Sequence, residues 1–324
     1  MIVREVKMPI NIFKAKEKIL SQPITNGQEN SKERKEIENL NQIIQLTDPE
    51  YVFDNLILPS STSHKLLDFL AYKDCEEKVF VDWGLSTTHR INKQLAVNFY
   101  GESGTGKTMA AHAVASHLKK PLLIVNYADV ESKYVGETSK NICNIFRLAK
   151  EKNAIIFFDE ADAILSRRVN NMSHATDVSV NQTRSVLLML MNDYSGVIIF
   201  ATNFIENYDA AFMRRISFHI NFNLPDEECR IKIWNKYIPK KLPIDVNISV
   251  LANSSEGLSA SDIADCVLRA AMAVARTKRT VVTEVDFLAS ISDVKISKQA
   301  NKGQIRDSIT TRTVSEDYAR KQIS

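Results

Sequence analysis

Two short stretches of this sequence place reactive residue types at spacings that suit one kind of chemistry. The first is Gly101-Glu102-Ser103-Gly104-Thr105-Gly106-Lys107-Thr108. Its glycines permit backbone conformations closed to other residues, so successive N–H groups can curl toward one point. An alanine-rich helical stretch, Thr108–Leu118, follows. A loop of this kind, opening a helix with its positive dipole end toward the same point, cradles a polyphosphate. Lys107 is then the point charge for the β- and γ-phosphates, and the Thr108 hydroxyl is a ligand for Mg²⁺. The stretch fits G-x-x-x-x-G-K-[ST] in full and follows a short apolar run, Leu95–Tyr100. Residues 101–108 and the adjoining Met109 are therefore the candidate binding residues for ATP.

The second stretch is Ile155-Ile156-Phe157-Phe158-Asp159-Glu160, an apolar run ending in two carboxylates. Asp159 can hold Mg²⁺ directly or through water, and Glu160 can orient and activate an attacking water as general base. By itself the pair also reads as a helix N-cap, since acidic residues are favoured there. Thr202-Asn203 closes a third apolar run, Val197–Ala201. Asn203 can hydrogen-bond the γ-phosphate and the water, although Asn is also a common turn residue. Beside the phosphate loop, the catalytic reading is preferred for both.

The elements that must position these groups alternate strand, turn and helix. Leu122–Val125 reads as a further strand, with helices over Ser139–Lys150 and Val178–Met191. Continuously apolar strands suit a parallel sheet covered on both faces, so the expectation is an α/β, doubly wound domain over residues 48–226. After Pro225 the pattern becomes helical only. Asp226 can cap a helix, and Ser259-x-x-Asp262 and Thr283-x-x-Asp286 read as capping boxes, giving a small helical domain at 227–296. Residues 1–47 read as a linker passing into a charged helix at about 31–46, and residues 297–324 as a polar tail.

Composition narrows the function. Of 324 residues 44% are apolar and 25% charged, as in ordinary soluble proteins, and the formal net charge of +3 makes no demand for a nucleic-acid partner. The four cysteines form no C-x-x-C pair and suit a reducing compartment. No apolar run is long enough to span a bilayer. A cytoplasmic protein is expected.

The order of motifs resembles the AAA family of ATPases over roughly residues 50–292. The nearest branch holds the vacuolar-sorting, katanin and spastin ATPases and their bacterial relatives. Residues 101–108 look like Walker A, with Glu102-Ser103 where Pro-Pro is commoner, and residues 155–160 look like Walker B. Asn203 falls at sensor 1. Asn207–Arg215 resembles the second region of homology, in which Arg214 and Arg215 match arginines that reach a neighbouring subunit's ATP site. Ser132-Lys133-Tyr134-Val135-Gly136-Glu137-Thr138 is similar to the first pore loop, where an aromatic–aliphatic–Gly triplet grips polypeptide, and Arg167–His174 falls at the second. Gly257-Leu258-Ser259-Ala260-Ser261-Asp262-Ile263 resembles the lid segment near the nucleotide, which adds Gly257 and Ala260 to the binding set. Residues 51–58 lack the glycine with which the family often cups adenine.

The resemblance implies a RecA-like P-loop domain followed by an all-helical lid. It also implies a homo-oligomeric ring, usually a hexamer, that threads a polypeptide substrate through its centre, with any recruiting module small or supplied by an adaptor. A nucleotide-dependent regulatory switch and a nucleic-acid motor share the same P-loop machinery. The intact Glu160 and Asn203 speak against the switch, and the absence of a dense basic stripe speaks against the motor.

Overall fold

A computed structural model describes residues 44–88, 94–126, 137–166, 175–203 and 208–307. All belong to the compact unit formed by residues 43–324. The chain opens with strand β1 (Ile44–Thr47) and helix α1 (Ser60–Asp74), then enters β2 (Leu95–Tyr100), α2 (Lys107–His117), β3 (Leu122–Asn126) and α3 (Glu137–Lys152). It continues through β4 (Ile155–Asp159), α4 (Asp162–Leu165), α5 (Ala175–Asp193), β5 (Val197–Thr202), α6 (Ala210–Met213) and β6 (Phe218–Asn221). The six strands form one sheet in the order β1-β3-β4-β5-β2-β6, and every pair except β1–β3 is parallel.

Period-2 alternation explains the apolar runs. Ile156 and Phe158 of β4 join a core with Ile142 and Phe146 of α3 and Leu187 and Met191 of α5. Ile155 and Phe157 face the opposite core, with Phe69 of α1 and Ala110, Ala111 and Val114 of α2. Phe158 and Phe200 stack across β4–β5 with ring centroids 5.3 Å apart. Truncating a fully buried Phe such as Phe157 costs about 3–5 kcal/mol.

After Pro225 the lid contains α7 (Glu227–Tyr237), β7 (Ile244–Asp245), α8 (Ile248–Ser254), α9 (Ala260–Arg276), β8 (Val282–Thr283) and α10 (Glu284–Asp307). The Asp226 carboxylate caps α7 by accepting from Cys229 N at 2.9 Å, and Ser259 and Asp262 form the expected capping box of α9. Trp234, fully buried, packs edge-on to Phe287 and donates to Ser255 Oγ at 3.0 Å.

Three features depart from the sequence expectations. The lid is not purely helical, because β7 and β8 pair in parallel over two residues each. Residues 44–46, expected at the end of a charged helix, are strand, since Ile44–Thr47 completes the edge of the sheet against β3. The last helix does not stop at 296 but runs to Asp307. Its polar continuation carries the helix formers Lys298, Gln299, Ala300, Lys302, Gln304 and Arg306, contains no proline and tolerates Gly303. The residues expected to form the two pore loops, 133–136 and 167–174, lie outside the described residues, as do 1–43 and 308–324.

Candidate functional site

Parallel register brings the carboxyl ends of three strands together. Tyr100 pairs with Thr202 across β2–β5, and Phe158 with Phe200 across β4–β5. Gly101, Asp159 and Asn203 therefore emerge side by side at the sheet edge where ligands bind in open α/β folds. Between this edge and the lid lies a cleft of about 390 Å³, within the usual range for small-molecule sites. Residues 103–109, Asp159, Glu160, Asn203 and Ala260 line it, so most of the expected binding residues share one cavity. The expected adenine segment contributes Asn55–Leu58, and the lid adds Ile233 and Tyr237.

Two of the loop glycines are forced by close approach. Gly101 has φ +143°, and a Cβ there would lie 2.3 Å from the Phe222 carbonyl oxygen. Gly104 has φ +76°, and its Cβ would fall 2.6 Å from both Ser259 Oγ and Ser261 Cβ of the lid. Lys107 opens α2 and is nearly buried. Its ammonium donates to the carbonyls of Gly101 at 2.7 Å and Glu102 at 3.0 Å, and to Asn203 Oδ1 at 3.0 Å. Burial lowers the Lys107 pKa, and the charges of Asp159 and Asp162 oppose that shift. Removing a charge-assisted contact costs about 1.5–3 kcal/mol, so Lys107→Ala should weaken ATP binding roughly 10- to 150-fold. Titration with a fluorescent ATP analogue checks this, and normal affinity would remove Lys107 from the phosphate site.

Thr108 Oγ1 and Asp159 Oδ2 stand 3.4 Å apart. Two hard oxygen donors at this separation fit Mg²⁺, which typically takes one or two protein oxygens and fills its shell with phosphate and water. Among the described residues no group of three or more His, Cys, Asp or Glu is placed to hold a metal, so the nucleotide would supply much of that shell. Glu160 follows in the left-handed region, at φ +51°, with its N–H donating to Asp159 Oδ1 at 3.0 Å. This turn at the strand end leaves the Glu160 side chain exposed at the cleft.

Sequence reasoning missed two supports of Asn203. The Asn203 N–H donates to Asp162 Oδ2 at 3.4 Å. Asp162 lies just past the acidic pair, and the Asp-x-x-Asp spacing from Asp159 was its available signal. Beneath Asn203, Tyr208 donates to Thr202, and Asn98 lies 3.5 Å from both Thr202 Oγ1 and the Tyr208 hydroxyl. Burial pushes the Tyr208 phenol up to about 12, so it stays protonated as a donor. Asn98, a polar residue inside an otherwise apolar strand, was the hint.

Not every expected residue lines the cleft. Gly101, Glu102 and Gly257 stand apart from it; the Glu102 carboxylate meets Lys298 instead, and the Gly257 carbonyl accepts from Lys298 Nζ at 3.3 Å. Arg214 and Arg215 also lie outside the lining. Arg215 is tied down within the chain, donating to Asn192 Oδ1 at 2.9 Å and the Ala211 carbonyl at 3.0 Å. Arg214 is exposed and has no side-chain partner among the described residues.

A doubly wound sheet with a phosphate loop, an acidic strand end and a lid closing over both defines a P-loop nucleotide-binding protein. Residues 97–224 match the model of the ATPase family associated with various cellular activities (AAA), and residues 245–289 match the AAA+ lid domain. The chain is an AAA ATPase with an AAA+ lid. It is 35% identical over 218 residues to the proteasome-activating nucleotidase of Methanopyrus kandleri, covering 65% of this chain and 50% of that protein. The proteasome-activating nucleotidase of Archaeoglobus fulgidus is 37% identical over 212 residues, covering 63% and 53%. The 26S proteasome regulatory subunit 6B homolog of Encephalitozoon cuniculi is 34% identical over 215 residues, covering 63% and 54%. The chain thus spans about half the length of these curated relatives. They carry proteasomal names, whereas the motif order had suggested the vacuolar-sorting, katanin and spastin branch.

Proposed function

We propose that this chain hydrolyses Mg·ATP in the cleft and that its copies assemble into a ring, a hexamer, that unfolds or remodels polypeptide. The observation that carries the reading is the division of the site. Phosphate-binding and water-activating groups share one cavity, while Arg214 stands exposed outside it, with no side-chain partner among the described residues. An arginine in that position is available to a neighbour's nucleotide, and two of the relatives are named proteasome-activating nucleotidases.

In this mechanism the loop amides and Lys107 hold the β- and γ-phosphates, and Thr108 and Asp159 would hold Mg²⁺. Bound there, the ion supplies neutralisation of charge on the phosphate oxygens. Glu160 takes a proton from the water as its oxygen bonds to the γ-phosphorus, the bond to the bridging oxygen breaks, and ADP leaves with that electron pair. Asn203, fixed by Asp162 and the Tyr208–Thr202–Asn98 network, orients the water and the γ-phosphate. The partner's Arg214 meets the charge that develops on the transferring group. Gripping of polypeptide by Lys133, Tyr134, Val135 and Gly136 rests on their sequence pattern.

All four cysteines are free, as suits the cytoplasm, and no helix among the described residues is long and apolar enough to cross a membrane. The test is ATP turnover per subunit against protein concentration, with and without an unfolded polypeptide. Turnover should rise with concentration and rise further with the polypeptide. A concentration-independent rate from a monomer, or stimulation by single-stranded DNA alone, would overturn the reading.

A further inference from the structure

The last helix of the lid reaches back to the phosphate loop. Lys298, on the part of α10 beyond the expected end of the lid, places Nζ 3.1 Å from Glu102 Oε2 and 2.9 Å from Asp262 Oδ2. Glu102 is the second residue of the phosphate loop. Asp262 is the capping-box carboxylate of α9, and its Oδ2 also accepts from Ser259 N at 2.8 Å. The circuit closes on the loop itself, because Ser261 N donates to the Gly104 carbonyl at 3.3 Å. Ser261 and its neighbour Ala260 line the cleft. One ammonium therefore joins two carboxylates, one in the phosphate loop and one at the start of α9 in the lid.

We propose that Lys298 is a positioning residue for nucleotide binding, whose ammonium sets the spacing between the phosphate loop and the lid through Glu102 and Asp262. It does not line the cleft and acts through those two carboxylates. The inference rests on ATP binding in this cleft and is independent of ring assembly or threading.

The charges suit the role. Burial pushes the Asp262 carboxyl up, but hydrogen bonds from Lys298 and Ser259 outweigh it and hold the group below its ordinary 3.8. Burial also pulls Lys298 down, yet Asp262 and Glu102 hold it above its ordinary 10.5. The Asp262 contribution is fully present above 3.8 and is lost as pH falls through its depressed folded value. The Lys298 contribution is fully present below 10.5 and is lost as pH rises through its raised folded value. Asp262 and Lys298 are thus both charged throughout the neutral range.

The arrangement has an asymmetric consequence. Removing Lys298 takes away the ammonium shared by the Glu102 and Asp262 carboxylates, whose like charges then act against the approach of lid and loop. Removing Glu102 leaves the Lys298–Asp262 pair intact. Binding of a fluorescent ATP analogue to dilute protein and steady-state kinetics test this. Lys298→Met should weaken analogue binding and raise KM roughly 3- to 10-fold. Its kcat at saturating ATP should change by less than about 2-fold, because the groups that perform the reaction sit on the sheet edge. Glu102→Gln added to Lys298→Met should recover most of the lost affinity, and Lys298→Arg should bind near normally. Unchanged affinity in Lys298→Met, or losses that simply multiply in the double variant, would overturn the proposal. If Lys298→Met fails to fold, Lys298→Arg and Glu102→Gln carry the test: Lys298→Arg binding at least 3-fold more weakly than Glu102→Gln would overturn it. Wild-type protein that binds no nucleotide would instead overturn the assignment of the cleft.

Discussion

Replacing Glu160 by Gln should lower ATP turnover by about 10²–10⁴-fold while leaving nucleotide affinity near its original value. The substitution keeps the shape of the side chain and removes its ability to accept a proton. Binding is carried by other groups, namely the loop amides, Lys107, and the Thr108–Asp159 pair 3.4 Å apart. The Glu160 backbone sits in the left-handed region at φ +51°, a conformation that costs an ordinary residue roughly 1–2 kcal/mol. Gln accepts the same backbone on the same terms, so the effect should appear in chemistry and not in folding. Single-turnover hydrolysis beside analogue binding separates the two. Turnover within about 3-fold of the original would return the acidic pair to the plain helix-capping reading.

Arg214→Ala should reduce turnover by about 10³–10⁵-fold, the range for an arginine that meets a transferring phosphoryl group. Affinity for nucleotide in dilute protein should not change, because the residue does not line its own chain's cleft. Arg215→Ala should act differently. That guanidinium is occupied by Asn192 and the Ala211 carbonyl, so its loss should cost about 1 kcal/mol of local stability first. Mixing supplies the decisive comparison. Subunits carrying Glu160→Gln retain Arg214, and subunits carrying Arg214→Ala retain Glu160. Mixed samples should regain turnover that neither variant shows alone. No recovery on mixing, with both variants shown to co-assemble, would place the arginine's action within one chain or outside the reaction.

The parts legible in the sequence are those whose meaning is local. Gly101–Thr108 declares itself because Gly101, Gly106, Lys107 and Thr108 fall within eight consecutive residues at the one spacing a phosphate loop requires. The strands β2, β4 and β5 were legible because strands covered on both faces must be apolar throughout. The caps at Asp226 and Ser259 were legible because their partners are three residues away. What was missed depends on partners distant in the chain. Lys298 acquires its role only when α10 folds back on a loop almost two hundred residues earlier, and its polar surroundings suggested a tail. The β7–β8 pair is too short to leave a periodicity. Asn98, Thr202 and Tyr208 meet only because β2 and β5 are neighbours in the sheet. The distinction between Arg214 and Arg215 needed the position of Asn192 on α5, which adjacency in sequence cannot supply.

The length of α10 has a mechanical consequence. Its 24 residues make a rod about 36 Å long, stiff along its axis. Lys298 sits some 14 residues from its start, about three-fifths of the way along the lever. A tilt of about 10° around the near end would sweep the tip through about 6 Å at 1.5 Å of rise per residue. A motion of that size exceeds the reach of any single contact in the nucleotide cleft. Opening or closing at the phosphate loop would therefore be delivered, amplified, to whatever meets the distal end of the lever.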